Sequence, residues 1–236
     1  MTTYNINPED IVSDFLRVHL TDPRARAETT STDSFSATAG QTTRTITGVP
    51  ASNTVSCVTS ITVNGTAISK WQEYFWDYQN EKVTFFTALT LADAVVITYK
   101  YGTSNWIYSD RPAGNLAADN FPRISAHIYS GSGKRRGNYE APVESSPLFQ
   151  IDVWVKKDYI KSIDGVKYSR ELFGRYLGLQ VTKAFEDNEG DLFPILYDYI
   201  PIGIPAAAPY SEEYQAFHTI VQLNLSGLDL GRYIVT

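Results

Sequence analysis

Polar and apolar positions change their period three times along the chain, and each change predicts a different kind of element. Residues 8–21 carry Ile11, Val12, Phe15, Leu16, Val18 and Leu20 at helical spacing. Asn7 stands where a cap is needed, Pro8 suits a first helical position, and Glu9 and Asp10 complement the positive end of the dipole. Asp22 and Pro23 end the run. From Arg26 to Gly102 the helical period disappears, Thr and Ser dominate, and apolar residues alternate. That pattern predicts strands at residues 35–39, 43–47, 54–63, 67–71, 74–78, 82–86 and 94–101, with Asn64-Gly65 as a hairpin turn. So many short strands in so short a stretch predict a small antiparallel sandwich or barrel able to close its own core.

Helical and strand signals then mix. Residues 106–108 precede a Pro/Gly/Asn linker at 111–115, and residues 121–129 read as a strand. A Gly/Ser/Lys/Arg stretch at 130–138 and a Pro-flanked one at 141–147 predict a long loop. Residues 148–157 alternate strictly and read as a strand that pairs with 121–129. Ser169 opens the strongest helical run, with Leu172, Phe173, Tyr176, Leu177, Val181, Ala184 and Phe185 behind it, ending by Asn188, Glu189 and Gly190. That helix is expected to cross the sheet. Pro194, Pro201 and Pro205 exclude a continuous helix over 192–204, which reads as strand plus loop, and 219–225 reads as a last strand. The fold class expected is α+β: residues 1–26 and 103–236 form one mixed helix/sheet domain, into which an all-β, sandwich-like domain of residues 27–102 is inserted.

Composition narrows the function classes. The 236 residues are 43% hydrophobic and 19% charged, enough apolar surface to fold without disulfide or metal staples. A net charge of -6 argues against a surface that grips nucleic acid throughout, since phosphate neutralisation needs concentrated Lys and Arg. The single cysteine, Cys57, and three scattered histidines, His19, His127 and His218, make no recognisable zinc site and fit a reducing compartment. The N-terminal residues lack the basic and apolar runs of a signal peptide, and no apolar stretch is long enough to cross a bilayer. Aromatic residues are plentiful, which suits extensive chain-to-chain contact and an aromatic core alike.

Catalytic chemistry finds little support. No G-x-S-x-G elbow surrounds a serine, and Gly131, Ser132, Gly133 and Lys134 have the residue types of a phosphate loop without its spacing or a following helix. The histidines read as ordinary core-edge or surface residues, with no acidic partner at useful spacing. Glu186, Asp187, Glu189 and Asp191 read as a solvated helix end rather than a calcium loop. No catalytic residue, metal or cofactor is therefore expected. Two candidate contact sites remain. Lys134, Arg135 and Arg136 concentrate positive charge on the predicted long loop, where they would touch DNA or a partner, or simply be solvated at a hairpin tip. Trp71, Tyr74 and Trp76, with Phe75 and Tyr78, would be exposed aromatics of a sugar platform, although strand alternation favours half of the cluster as core.

Residues 35–42, Thr47-Gly48-Val49-Pro50, Val63-Asn64-Gly65, Trp71-Gln72-Glu73-Tyr74, Lys82-Val83-Thr84-Phe85 and residues 93–99 form a pattern that resembles the small, immunoglobulin-like β domains decorating tail and fibre proteins of tailed phages. The flanks, with an N-terminal helix, the strand opening Asn120-Phe121-Pro122-Arg123-Ile124-Ser125, a long loop, residues 149–156, a long helix and terminal strands, resemble the tail terminator, or tail completion, proteins. The resemblance implies a virion protein, assembled in the host cytoplasm, that forms a ring, usually a hexamer. That ring caps the tail tube, docks to a neck or head-completion protein and passes genomic DNA through its lumen, with no membrane partner. It supplies no catalytic residues to transfer. Another neck ring, of the head-completion or head-to-tail joining kind, or a tail tube protein is the alternative within the virion. Outside it the alternative is a carbohydrate-binding or adhesion module.

Overall fold

The computed structural model describes residues 8–24, 28–78, 80–102, 106–109, 121–135, 143–156, 161–163, 165–192, 198–201, 205–212, 215–226 and 228–229. It is a mixed α+β fold in which strand predominates. By internal contacts the chain divides into two compact units, residues 21–105 and residues 3–20 with 106–236.

The first unit is all strand. β1 (Glu28–Ser36), β7 (Ala94–Gly102), β3 (Thr54–Val63) and β4 (Thr66–Ile68) form one antiparallel sheet in that order. β2 (Gln41–Thr45), β6 (Lys82–Leu89) and β5 (Tyr74–Asp77) form a second. Side chains from both sheets meet in one core, with Val55, Val58, Ile61, Val95, Ile97 and Tyr99 from the first sheet and Tyr74, Trp76, Val83 and Phe85 from the second. Asp33 on β1 adds a polar tie between the sheets. Its carboxylate accepts hydrogen bonds from Arg44 Nε at 3.0 Å, Arg44 Nη2 at 3.2 Å and Thr47 Oγ1 at 3.2 Å, and the guanidinium also lies over the Phe35 ring.

The turns at one end of this unit are clipped together. Asn64 and Gly65 take positive φ, as an Asn-Gly hairpin turn requires. The Asn64 side chain donates to Asp93 Oδ1 and accepts from the Ala94 amide, which ties the β3–β4 turn to the β6–β7 turn.

The second unit starts with α1 (Pro8–His19) and continues through β8 (Ile107–Tyr108), β9 (Arg123–Arg135), β10 (Val143–Lys156), β11 (Lys161–Ile163), β12 (Val166–Tyr168), α2 (Arg170–Asn188), β13 (Asp198–Pro201), β14 (Ala206–Ser211), β15 (Ala216–Ser226) and β16 (Leu228–Asp229). Its main sheet runs β13-β15-β10-β9-β8, with β14 also on β15 and β16 on β10. Odd-numbered residues of β10 and β15, among them Ile151, Val153, Val155, Val221 and Leu223, share one buried apolar face. α2 lies against it. Ser169 caps that helix by accepting from the Leu172 amide, and Phe173, Leu177, Val181 and Phe185 turn inward. Gly174 and Gly178 let the helix approach closely. A Cβ at Gly174 would sit 2.8 Å from Thr219 Oγ1, and one at Gly178 would sit 2.8 Å from Pro205 Cβ. α1 meets α2 through a stack of Phe15 on Phe185, and Arg17 donates to the Ile107 carbonyl.

Several expectations change. The first strand lies at 28–36 rather than 35–39, because β1 pairs with the whole of β7, from Glu28 opposite Gly102 to Ser36 opposite Ala94. The long loop expected over 130–147 is largely strand. β9 runs on to Arg135 and β10 begins at Val143, since ladder hydrogen bonds to the facing strand outweigh the weak strand propensity of Gly and Ser. The pair absorbs one extra residue, Tyr129, in a bulge where Ile128 faces Phe149 and Ser130 faces Leu148. β11, β12, β14 and β16 go beyond the sequence pattern: β11, β12 and β16 are too short to show a period, and β14 is an Ala/Pro run without alternation.

Candidate functional site

Both contact sites expected from the sequence change character. Trp71, Tyr74 and Trp76 are 3%, 1% and 2% exposed, so they are not the exposed aromatics of a sugar platform. Tyr74 and Trp76 belong to the core shared by the two sheets, and Phe75 between them is buried as well. Alternation assigns residues to faces, and both faces of this short strand are covered. Trp71 is held by a turn in which its amide donates to the Tyr74 carbonyl, with φ at 66°.

Lys134 and Arg135 lie in the ladder of β9 rather than on a loop, opposite Glu144 and Val143 respectively. Arg136 lies outside the described residues. The ladder fixes the backbone of Lys134 and Arg135 in register with β10.

The most concentrated chemistry lies on the sheet face of the second unit turned away from α2. Here β9 supplies Ser125 and His127, β10 supplies Gln150, Asp152 and Trp154, and β15 supplies His218. Asp152 is 1% exposed and sits at the centre. His218 Nε2 lies 2.6 Å from its Oδ1, the Gln150 amide donates to the same oxygen at 2.8 Å, and His127 Nδ1 lies 3.6 Å from Oδ2. Trp154 stacks on His218 and donates through Nε1 to Ser125 Oγ at 3.2 Å. An acidic partner for both histidines was the signal missed in the sequence. It was there as a period-2 relation: Asp152 is two positions from Gln150 and Trp154, which pair with His127 and His218 across neighbouring strands.

The two imidazoles approach Asp152 from strands on opposite sides of β10, at ladder positions four residues apart, so they flank the carboxylate instead of converging on one point. Accordingly, among the described residues no group of three or more His, Cys, Asp or Glu is placed to hold a metal ion. Ser125 Oγ accepts from Trp154 and is fully buried, which leaves it no access to a substrate. What this arrangement does is satisfy a buried carboxylate and lock three adjacent strands in register.

The same unit carries a different feature at its surface. β8 pairs with β9 only at Ile124 and Ser125, and the Ile128 amide donates to the Glu9 side chain. Beyond Ile128 the outer edge of β9 has no strand partner among the described residues. Ile128 and Tyr129 stand there 39% and 61% exposed. Leu172 and Leu179 are also exposed, on the outward side of α2. Among the described residues no helix is long and apolar enough to cross a membrane. Compared with protein-family models, with characterised proteins and with solved structures, the chain matches none.

Proposed function

We propose that this chain is a structural component of a tailed phage or virus that assembles into a ring, with the tail terminator, which caps the tail tube and joins it to the neck, as the role that fits best. The observation that carries the reading is the open outer edge of β9, a strand fixed at its base by β10 and Glu9 and flanked by exposed Ile128 and Tyr129. Unpaired strand edges with apolar neighbours pair readily with another chain, and natural proteins blunt or cover those they do not use. In this reading the α+β unit forms the ring, probing the neck and tube with its end surfaces, and residues 27–102 are an inserted, sandwich-like passenger. The division of the chain into two compact units supports that organisation. The partners are further copies of the chain, six in all, a tube protein, a neck or head-completion protein, and genomic DNA in the lumen.

Burial of Trp71, Tyr74 and Trp76 weighs against the carbohydrate-binding alternative, because a sugar platform needs aromatic faces in solvent. The test is the mass of the purified chain by sedimentation, with negative-stain images of the same sample. A single closed species of defined copy number with a central opening is expected. A monomer at every concentration, or an open-ended filament, overturns the reading.

A further inference from the structure

We infer that Asn64 is a deamidation site, held back by its clip to Asp93, and that its product no longer forms that clip. The inference concerns the all-strand unit and does not rest on the ring reading. Asn64-Gly65 is the one Asn-Gly pair in the sequence. Glycine leaves its peptide nitrogen open to the side chain before it, so at such a pair an asparagine most readily closes on its own backbone. Both residues are exposed, and a Cβ at Gly65 would meet nothing within 4 Å, so water reaches the turn.

The reaction needs no reagent besides water. The Gly65 nitrogen bonds to Asn64 Cγ and loses its proton to solvent. The Cγ–Nδ2 bond breaks, and Nδ2 takes a proton from solvent and leaves as ammonia. Water then opens the succinimide at one carbonyl or the other. One product is aspartate; in the other, isoaspartate, the backbone runs through Cγ and is one atom longer.

In the closed turn the side chain is committed elsewhere. Nδ2 donates to Asp93 Oδ1 at 2.8 Å, and Oδ1 accepts from the Ala94 amide at 2.9 Å. Asp93 is itself fixed, since its Oδ2 accepts from the Thr90 amide at 2.7 Å. Attack turns Cγ from planar to tetrahedral and expels the nitrogen that Asp93 holds, so the clip stabilises the amide over the transition state. Nor does Asp93 help the nitrogen leave. Hydrogen bonds from Thr90 and Asn64 hold its carboxyl below the ordinary value, so near neutrality it is an acceptor with no proton to give.

The product reverses the contact. A carboxylate at position 64 sets negative charge against Asp93 where a donor stood. Isoaspartate also lengthens a two-residue turn whose flanks, Val63 and Thr66, pair directly across it. Each opening of the two turns thus exposes Asn64 to a step that then keeps them apart.

The experiment ages the full chain in mildly alkaline buffer and reads Asn64 by peptide mapping with isoaspartate detection. The folded chain should deamidate about tenfold or more slowly than the same chain in urea. Asp93→Ala should react severalfold faster than the original, and Asp93→Asn takes its place if circular dichroism shows that Asp93→Ala fails to fold. Asn64→Asp imitates one product and should lower the protection of the Ala94 amide. Asn64→Asp with Asp93→Asn exchanges donor and acceptor and should recover much of that protection. Equal rates in the folded and unfolded chain, or no acceleration on losing the Asp93 carboxylate, would overturn the guard. Full protection of Ala94 in Asn64→Asp would overturn the claim about the product.

Discussion

Trp154 on β10 and His218 on β15 face each other across the ladder and stack in parallel, with ring centroids 4.0 Å apart and planes 3° apart. Each ring is also anchored at its edge, the indole to Ser125 and the imidazole to Asp152. Three strands are thus joined by side chains as well as by backbone hydrogen bonds, and two of them, β9 and β10, stay paired beyond the network as far as Arg135 and Val143.

Asp152 should be the most sensitive member of this network. Asp152→Asn keeps the volume but removes an acceptor and presents an amide N–H to one of its present donors. Chemical denaturation should show a loss of about 1–3 kcal/mol, the usual cost of leaving a buried polar group unmatched. Ser125→Ala, which leaves every ring in place and removes only the neutral acceptor of the Trp154 indole N–H, should cost less. Equal losses for the two would mean that the carboxylate is not the centre of the network.

The apolar half of this arrangement was legible in the sequence, and the polar half was not. Strict alternation through 148–157 identified the strand and its apolar face, and Leu172 to Phe185 identified the helix that covers it. The same alternation put Gln150, Asp152 and Trp154 on what reads as a solvent face, yet all three are buried. Polarity has a local period, whereas burial depends on what the rest of the chain lays over a face. Trp71, Tyr74 and Trp76 misled for the same reason. Lys134 and Arg135 failed through propensity: Gly131 and Gly133 are poor strand formers, but a facing strand supplies the ladder that propensity cannot foresee.

The two helix glycines should respond differently to repair. Gly174→Ala and Gly178→Ala each gain helix propensity worth about 1 kcal/mol, and each adds a methyl where the nearest atom is 2.8 Å away. Overpacking of that kind costs about 1–3 kcal/mol, so both should destabilise on balance. At Gly174 the obstacle is Thr219 Oγ1, and Gly174→Ala with Thr219→Ala should recover most of the loss. At Gly178 the obstacle is Pro205 Cβ, an atom that Pro205→Ala retains, and that pairing should recover little. Thermal melts of the four variants decide it.

In the all-strand unit, Arg44→Met should separate packing from charge. Methionine keeps an unbranched apolar stem near Phe35 while withdrawing both donors from Asp33, which is buried. The expected loss is about 1–3 kcal/mol. Asp33→Asn with Arg44→Met should be less damaging than the two single losses added together, because the buried charge goes with its partner. Strict additivity in a double-mutant cycle would show that the two groups do not act as a pair.

Acid should loosen one end of the same unit first. Hydrogen bonds from Thr90 and from the Asn64 side chain hold the Asp93 carboxyl below the ordinary aspartate value of 3.8, the Thr90 hydroxyl contributing most. A carboxyl whose folded pKa is depressed stabilises the fold above the unfolded value and loses that contribution as pH falls through the folded one. The clip between the β3–β4 and β6–β7 turns should therefore hold at neutral pH and open only below 3.8. Carboxyl-carbon NMR titration should give Asp93 a midpoint under that value, and the protection of the Ala94 amide, whose N–H is held by Asn64, measured against its intrinsic exchange rate at each pH, should fall over the same range. In Asp93→Asn the exchange at Ala94 should lose this acid step. A midpoint at or above 3.8, or an unchanged acid step in the variant, would assign the clip to the backbone turns alone.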